Sequence, residues 1–176
     1  MVQFSLYNLK FSFINCHLAS GAENVDARLK MASDLLKTIS CTNGEDTLGP
    51  DATSDFSFLM GDLNFRLNQS YAELMPHIND APRLVANLDQ LVVAQRDGHF
   101  PGYIEGGLDF MPTYKLKRGE NVYKDDADQC PSYCDRILFK NNTSCRAIIL
   151  EYGSLADYWG SDHRPVFMKM RMRTMP

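Results

Sequence analysis

Asp62 and Asn64 stand two residues apart in Gly61-Asp-Leu-Asn-Phe-Arg-Leu-Asn68, directly after the apolar run Phe56-Ser-Phe-Leu-Met60. Residues two apart in an extended segment project to the same side, so a strand delivers an anionic group and a neutral donor together at its end. Asp62 can bind or deprotonate a water, and Asn64 can donate to a phosphate oxygen without adding charge. Gly61 suits a sharp turn where a ligand approaches the backbone. Alone, Gly-Asp-x-Asn is also ordinary turn punctuation; its company decides. His17 follows the apolar run Phe11 to Cys16, Asp135 lies in Cys130-Pro-Ser-Tyr-Cys-Asp-Arg-Ile-Leu138, and Asp162 and His163 lie in Ser161-Asp-His-Arg-Pro-Val166. Each lies at the edge of a predicted strand. Such a set suits hydrolysis of a phosphate ester, which needs a positioned water, neutralised phosphoryl oxygens and help for the leaving oxygen.

Alternating strands and helices must hold these residues. Val2, Phe4 and Leu6 alternate with polar residues, Asn8 marks a turn and a second strand begins at Phe11, which is a hairpin signal. Ser20-Gly-Ala-Glu23 has capping-box spacing, and Val25, Leu29, Ala32, Leu36 and Ile39 follow at helical spacing. Residues 41–55, rich in Thr, Gly, Asp and Ser, read as a mobile surface loop without chemistry. Ser70 to Glu73 and Asn87 to Gln90 look like helix starts, with Pro82 confining the connection between the two. The glycine-rich stretch from Gly98 to Gly107 is expected to be a loop crossing the face of the site. Strands are expected over Arg136 to Lys140, Cys145 to Tyr152 and Val166 to Arg173, the last with Val166, Met168, Met170 and Met172 on one face as core filling. Periodicity establishes only mixed α and β.

At 176 residues with 44% hydrophobic content, the chain is expected to form a single unit with a real core. No apolar run approaches the roughly 20 residues needed to cross a bilayer. Five cysteines at irregular spacings argue against a disulfide framework, and Cys130 and Cys134 have no second pair to close a zinc site. Free thiols suit a reducing compartment, so the expectation is cytoplasmic. The net charge of −4 argues against a dedicated DNA binder, and nucleic acid is not an expected partner. Lys115, Lys117 and Arg118 nevertheless cluster beside Tyr114.

Five motifs in order carry a resemblance: Phe13-Ile-Asn-Cys-His-Leu-Ala-Ser-Gly21, Phe58-Leu-Met-Gly-Asp-Leu-Asn-Phe-Arg66, Phe110-Met-Pro-Thr-Tyr-Lys115, Cys130 to Leu138, and Ser161 to Val166. Together they resemble the C-terminal part of an inositol polyphosphate 5-phosphatase catalytic domain, within the superfamily of DNase I-like endonucleases. The His, Gly-Asp-x-Asn and Ser-Asp-His elements are shared with the endonucleases, whereas Pro-Thr-Tyr-Lys and Cys-Asp-Arg-Ile-Leu belong to the phosphatase branch. The resemblance implies an α/β fold of two packed, mainly antiparallel sheets flanked by helices in four layers, with residues 1–176 as the C-terminal part of one domain. It further implies magnesium-dependent hydrolysis of the 5-phosphate of phosphoinositides or soluble inositol polyphosphates, at peripheral membrane surfaces. Asp62 would activate water, Asn64 would hold a phosphate oxygen, His17 and His163 would donate to the scissile phosphate, and Asp135 would fix His163. Tyr114 and Lys115 would contact an adjacent phosphate. Arg136 and Arg66 stand between substrate contact and structural ion pairing, and Asp162 is a candidate metal-shell residue.

Two departures accompany the resemblance. The family's Trp-Asn element and the Gln-Glu element, whose glutamate binds magnesium, have no counterpart in this sequence, so a partial domain is expected. Basic residues common before the Cys-Asp-Arg-Ile-Leu element are replaced by Ala127-Asp-Gln129. Two alternatives stand beside the phosphatase reading: a superfamily nuclease and a non-catalytic phosphoinositide-binding fragment.

Overall fold

The computed structural model describes residues 1–38, 49, 53–125 and 129–173. Strand β1 (Val2–Leu6) returns through Tyr7 and Asn8, both at positive φ (49° and 62°), into β2 (Leu9–His17), with Leu6 opposite Leu9. A two-residue turn of left-handed geometry matches the twist of antiparallel strands, so the hairpin expected at Asn8 forms. Helix α1 (Val25–Thr38) precedes β3 (Phe56–Asp62), which runs parallel to β2. Then come α2 (Tyr71–Leu74), a 3-10 segment (Met75–Asp80), α3 (Ala81–Leu88), α4 (Gln90–Arg96) and a two-residue strand β4 (Tyr103–Ile104). Strand β5 (Asp135–Asn141) is antiparallel to both β3 and β4. Strands β6 (Arg146–Ser154) and β7 (Val166–Arg173) pair with each other. The large sheet has the order β1-β2-β3-β5-β4, and β6-β7 form the second.

Register explains why the chemistry gathers at one end. In the large sheet Phe13 lies opposite Phe58 and Phe58 opposite Phe139, and the same rows end at His17 opposite Asp62 and Asp62 opposite Asp135. Side chains alternate with period two, so Phe11, Phe13 and His17 share a face with Phe56, Phe58 and Asp62, and with Phe139 and Asp135. Phenylalanine rings stack along this face, Phe11 on Phe56 at 5.1 Å and Phe13 on Phe58 at 4.5 Å between centroids. Met168, Met170 and Met172 of β7 pack against them, which is the core-filling role expected for the methionine stripe. On the opposite face Ile14, Leu59 and Leu138 meet Ala32 and Leu36 of α1 and Leu91 of α4. A slip of one residue would exchange the two faces and turn His17, Asp62 and Asp135 toward the helices. The expected two-sheet sandwich with flanking helices is thus present.

Several local expectations are corrected. The capping box at Ser70 forms, with Ser70 Oγ accepting from Glu73 N and Glu73 Oε2 accepting from Ser70 N. The one at Ser20 does not: residues 21–23 turn, and the helix begins at Val25. Pro82 opens α3 rather than separating helices, a position where a proline leaves no intrahelical donor missing. The following helix is capped by Asp89, whose Oδ1 accepts from Leu91 N and Val92 N at 3.1 and 3.0 Å, while Asn87 lies within α3. The stretch from Gly98 to Gly107 does not cross the site; Tyr103 pairs with Lys140 at the opposite end of β5 from Asp135. Most of the loop expected over 41–55, Ile39 of the predicted helix, and Ala127 and Asp128 lie outside the described residues. Among the described residues, Cys16, Cys130, Cys134 and Cys145 are free thiols, and no helix is long and apolar enough to cross a membrane.

Candidate active site

At the end of β3, Gly61 takes φ +122°, and a Cβ there would run into the Cys16 carbonyl oxygen of β2. Only glycine permits this approach of the two parallel strands. It brings Asp62 beside His17, with Nε2 at 3.4 Å from Asp62 Oδ2. The chain then turns through Asn64 at φ 57°, a left-handed conformation that Asn tolerates better than most residues. Asp62 Oδ1 accepts from Asn64 N at 3.0 Å. The buried Asn64 carboxamide is held on both sides: Nδ2 donates to Leu18 O at 3.1 Å, and Oδ1 accepts from Arg66 Nη2 at 2.8 Å. One amide N–H of Asn64 is therefore already engaged by the fold.

A row of polar groups continues across β5 into the loop between β6 and β7. His163 Nε2 lies 4.0 Å from Asp62 Oδ2, and His163 Nδ1 lies 2.9 Å from Asp135 Oδ2. Thr113 Oγ1 donates to that same Asp135 oxygen at 2.7 Å. A carboxylate can only accept, so Nδ1 carries the proton and Nε2 faces Asp62. Burial pulls the His163 pKa down, but the hydrogen bond and charge of Asp135, with the charges of Asp62 and Asp162, outweigh it and leave it raised. For Asp62, burial and the nearby Asp135 charge raise the pKa, against the opposing pull of His163 and His17. The arrangement sets a carboxylate beside an imidazole whose charged form Asp135 favours, a pairing suited to general acid–base chemistry. A cavity of about 270 Å³ borders Asp62 and Asp135.

Segment 113–116 flanks this row. Tyr114 exchanges backbone bonds with Ser132 at 3.1 and 2.7 Å, Thr113 O accepts from Arg164 N at 2.9 Å, and Leu116 N donates to Asp162 O at 2.9 Å. The Tyr114 ring sits 4.4 Å from the His163 ring and under the Arg66 guanidinium at 4.7 Å. Lys115 Nζ lies 5.9 Å from the same ring. Tyr114 and Lys115 are thus brought beside this row. Arg66, buried, holds Asn64, Tyr114 and Gln129, the last at 2.9 Å. It is an organising residue of the site.

Of the two expectations for Arg136, the structure overturns substrate contact and bears out ion pairing. Its side chain has no exposed surface and is shared between Asp89 and Glu105, at 2.9 and 2.6 Å. A guanidinium so enclosed presents nothing to a substrate. Asp162 accepts from Arg118 Nη2 and Nε at 3.2 and 3.3 Å; although burial opposes it, hydrogen bonds from its own amide and Arg118 lower its pKa. Among the described residues no three His, Cys, Asp or Glu side chains converge as a metal-binding group, and Asp62 and Asp135 already serve histidine and hydroxyl partners. The described residues therefore do not by themselves fit a magnesium site. Thr113 was not singled out by sequence reasoning, although it lies within the Pro-Thr-Tyr-Lys motif that was. Arg164, buried and donating to Glu120 O at 2.9 Å, had no separate signal.

A two-sheet α/β scaffold with this histidine and carboxylate row at its strand ends defines the endonuclease/exonuclease/phosphatase class. The chain belongs to the Endonuclease/Exonuclease/phosphatase family 2, whose model matches residues 1–169. It is 34% identical over 180 residues to phosphatidylinositol 3,4,5-trisphosphate 5-phosphatase 2 of Sus scrofa, covering 94% of this chain and 14% of that protein. It is also 34% identical over 174 residues to nitrophorin Cim l NP of Cimex lectularius, covering 98% of this chain and 54% of the relative. The crystal structure of the inositol polyphosphate 5-phosphatase domain of SPsynaptojanin, in complex with inositol (1,4)-bisphosphate and calcium ion, superposes with a TM-score of 0.83 at 28% identity, covering 97% of this chain and 48% of that one. The chain thus spans about half the length, or less, of these proteins. The resemblance to 5-phosphatase domains read from the motifs is shown by these comparisons. Similarity to a nitrophorin of equal identity means that activity must be argued from the site.

Proposed function

We propose that the protein carries out magnesium-dependent hydrolysis of the 5-phosphate of phosphoinositides or soluble inositol polyphosphates, with residues 1–176 forming the C-terminal part of one catalytic domain. The observation that carries this is the row Asp62, His163, Asp135, Thr113 beside the Tyr114–Lys115 segment. Asp62 orients and deprotonates the attacking water. Nε2 of His17 and of His163 donate to phosphate oxygens, and Asp135, braced by Thr113, keeps His163 in the tautomer and charge state that does so. The cation would lower the charge on the phosphoryl oxygens, and in this reading its protein ligands come from the rest of the domain. The action is placed at the cytoplasmic surface of membranes.

The deciding experiment measures phosphate release with excess magnesium for the chain alone and after adding the preceding half of the domain as a second polypeptide, with an inositol lipid and with plasmid DNA. Release from the lipid only in the mixture is expected. Strong turnover by the lone chain would overturn the shared-domain reading, and DNA cleavage would replace the phosphatase by a nuclease. Within the active mixture, Lys115→Ala should raise KM roughly tenfold to a hundredfold for substrates bearing a phosphate next to the scissile one, since a charge-assisted contact is worth about 1.5–3 kcal/mol. Equal losses on substrates lacking that phosphate would make Lys115 structural.

A further inference from the structure

At the start of α4, one buried carboxamide has all of its hydrogen-bonding capacity engaged. Gln90 Oε1 accepts from Arg28 Nη2 at 2.6 Å and from Arg66 N at 3.0 Å, and its Nε2 donates to Ala22 O at 3.0 Å and to Asn68 Oδ1 at 2.8 Å. A primary amide carries two donors and one oxygen with two lone pairs, so all four are used. Glutamate, lysine or methionine at this position would each leave at least two of the four partners unpaired. The backbone reinforces the same contacts: Gln90 N donates to Arg66 O at 2.9 Å, and Asn68 N donates to Leu88 O at 2.8 Å.

The four partners belong to two chain segments. Ala22 and Arg28 follow His17 at the exit of β2, where the buried Arg28 also donates to Ala19 O at 3.0 Å and to the carbonyls of Gly21 and Ala22. Arg66 and Asn68 follow Asp62 at the exit of β3. Nearer the row, Leu18 joins the same two exits, its N donating to Asp62 O at 3.0 Å and its O accepting from Asn64 Nδ2 at 3.1 Å. The His17 side chain is itself 73% exposed, so its place beside Asp62 depends on how its backbone is held. We propose that Gln90 is a positioning residue for the reaction: by tying Arg28 and Ala22 to Arg66, it fixes the spacing of His17 against Asp62. A fully satisfied buried network of this kind holds a single arrangement. Asp89, the preceding residue, extends the grip to a third strand through Arg136 of β5, next to Asp135. The inference rests on the reading of His17 as a donor to phosphate, but the spacing is also measured without turnover, so the two fail separately.

Gln90→Met keeps the side-chain length and removes its four hydrogen bonds. In the active mixture with the preceding half of the domain it should lower kcat roughly tenfold to a hundredfold, the effect of misplacing a reacting group by a change remote from it, with KM little changed. In a His17→Ala background the same substitution should cost almost nothing, because the spacing it disturbs no longer matters. Equal losses in both backgrounds would mark Gln90 as purely structural and overturn the inference. In the chain alone, Gln90→Met should shift the His17 ring signals in NMR spectra and leave the indole signal of Trp159, the single tryptophan, in place. Unmoved His17 signals would overturn the inference whatever the kinetics. Were His17→Ala to turn over normally, the phosphate-donor reading would fall and the ring signals alone would decide the positioning role. If circular dichroism shows Gln90→Met unfolded, Arg28→Lys replaces it in both measurements under the same criteria, since it keeps the charge but not the fork that reaches three carbonyls and Gln90.

Discussion

Arg136→Met is expected to destabilise the folded protein by about 3–5 kcal/mol, the cost of leaving buried charge without its partner. Arg136 Nη1 lies 2.9 and 3.0 Å from the two oxygens of Asp89, and its Nε and Nη2 reach Glu105 Oε1 and Oε2 at 2.8 and 2.6 Å. Burial alone would lower its pKa, but Asp89 and Glu105 override this and hold the guanidinium charged. Removing it leaves two carboxylates in the interior, with the Tyr152 hydroxyl still donating to Glu105 at 2.6 Å. Methionine keeps most of the side-chain length, so the loss reports uncompensated charge more than a cavity. Combining Arg136→Met with Asp89→Asn and Glu105→Gln should recover most of it, and Asn at 89 can still cap α4. Urea midpoints at constant m-value measure both. A loss of under about 1 kcal/mol for the single variant would show that the cluster is hydrated and that Arg136 is available to a ligand after all.

The same cluster shows what a sequence hides. Glu105 and Asp89 lie 31 and 47 residues from Arg136 in the chain, and no local pattern links them. The sequence left Arg136 between substrate contact and ion pairing; the alternation of β5 turns it away from Asp135 to the other face, where Asp89 and Glu105 hold it. Likewise β4 is two residues long and exists because β5 offers it an edge, so a glycine-rich loop was the natural reading. His17, Asp62 and Asp135 were legible because each ends or begins an apolar run whose period places it on the phenylalanine face. Their mutual opposition needed the register, which only the folded sheet displays. Asn64 was legible as a polar group near Asp62, but its restraint by Leu18 O and Arg66 depends on the turn geometry at φ 57°.

In the active mixture with the preceding half of the domain, Asp62→Asn is expected to lower turnover by roughly a hundredfold or more, the usual worth of a positioned base. On the proposed reading the reaction needs Asp62 ionised and His163 protonated, so the rate rises through the pKa of the first and falls through that of the second. Both are raised: that of Asp62 by burial and the Asp135 charge, that of His163, against burial, chiefly by the Asp135 hydrogen bond and charge. Asp135→Asn removes the shared influence. Asp62 loses a repelling neighbour and ionises at lower pH, while His163 loses its anionic partner and gives up its proton at lower pH. Both limbs of the bell should therefore move to the acid side, so that the profile slides rather than narrows. The His163 ring can be followed by NMR in the chain alone, where Asp135→Asn should lower its titration midpoint irrespective of activity. A midpoint that stays in place, or an Asp62→Asn variant within a few-fold of the parent, would remove the Asp62–His163–Asp135 row from the mechanism and leave its close contacts as structural.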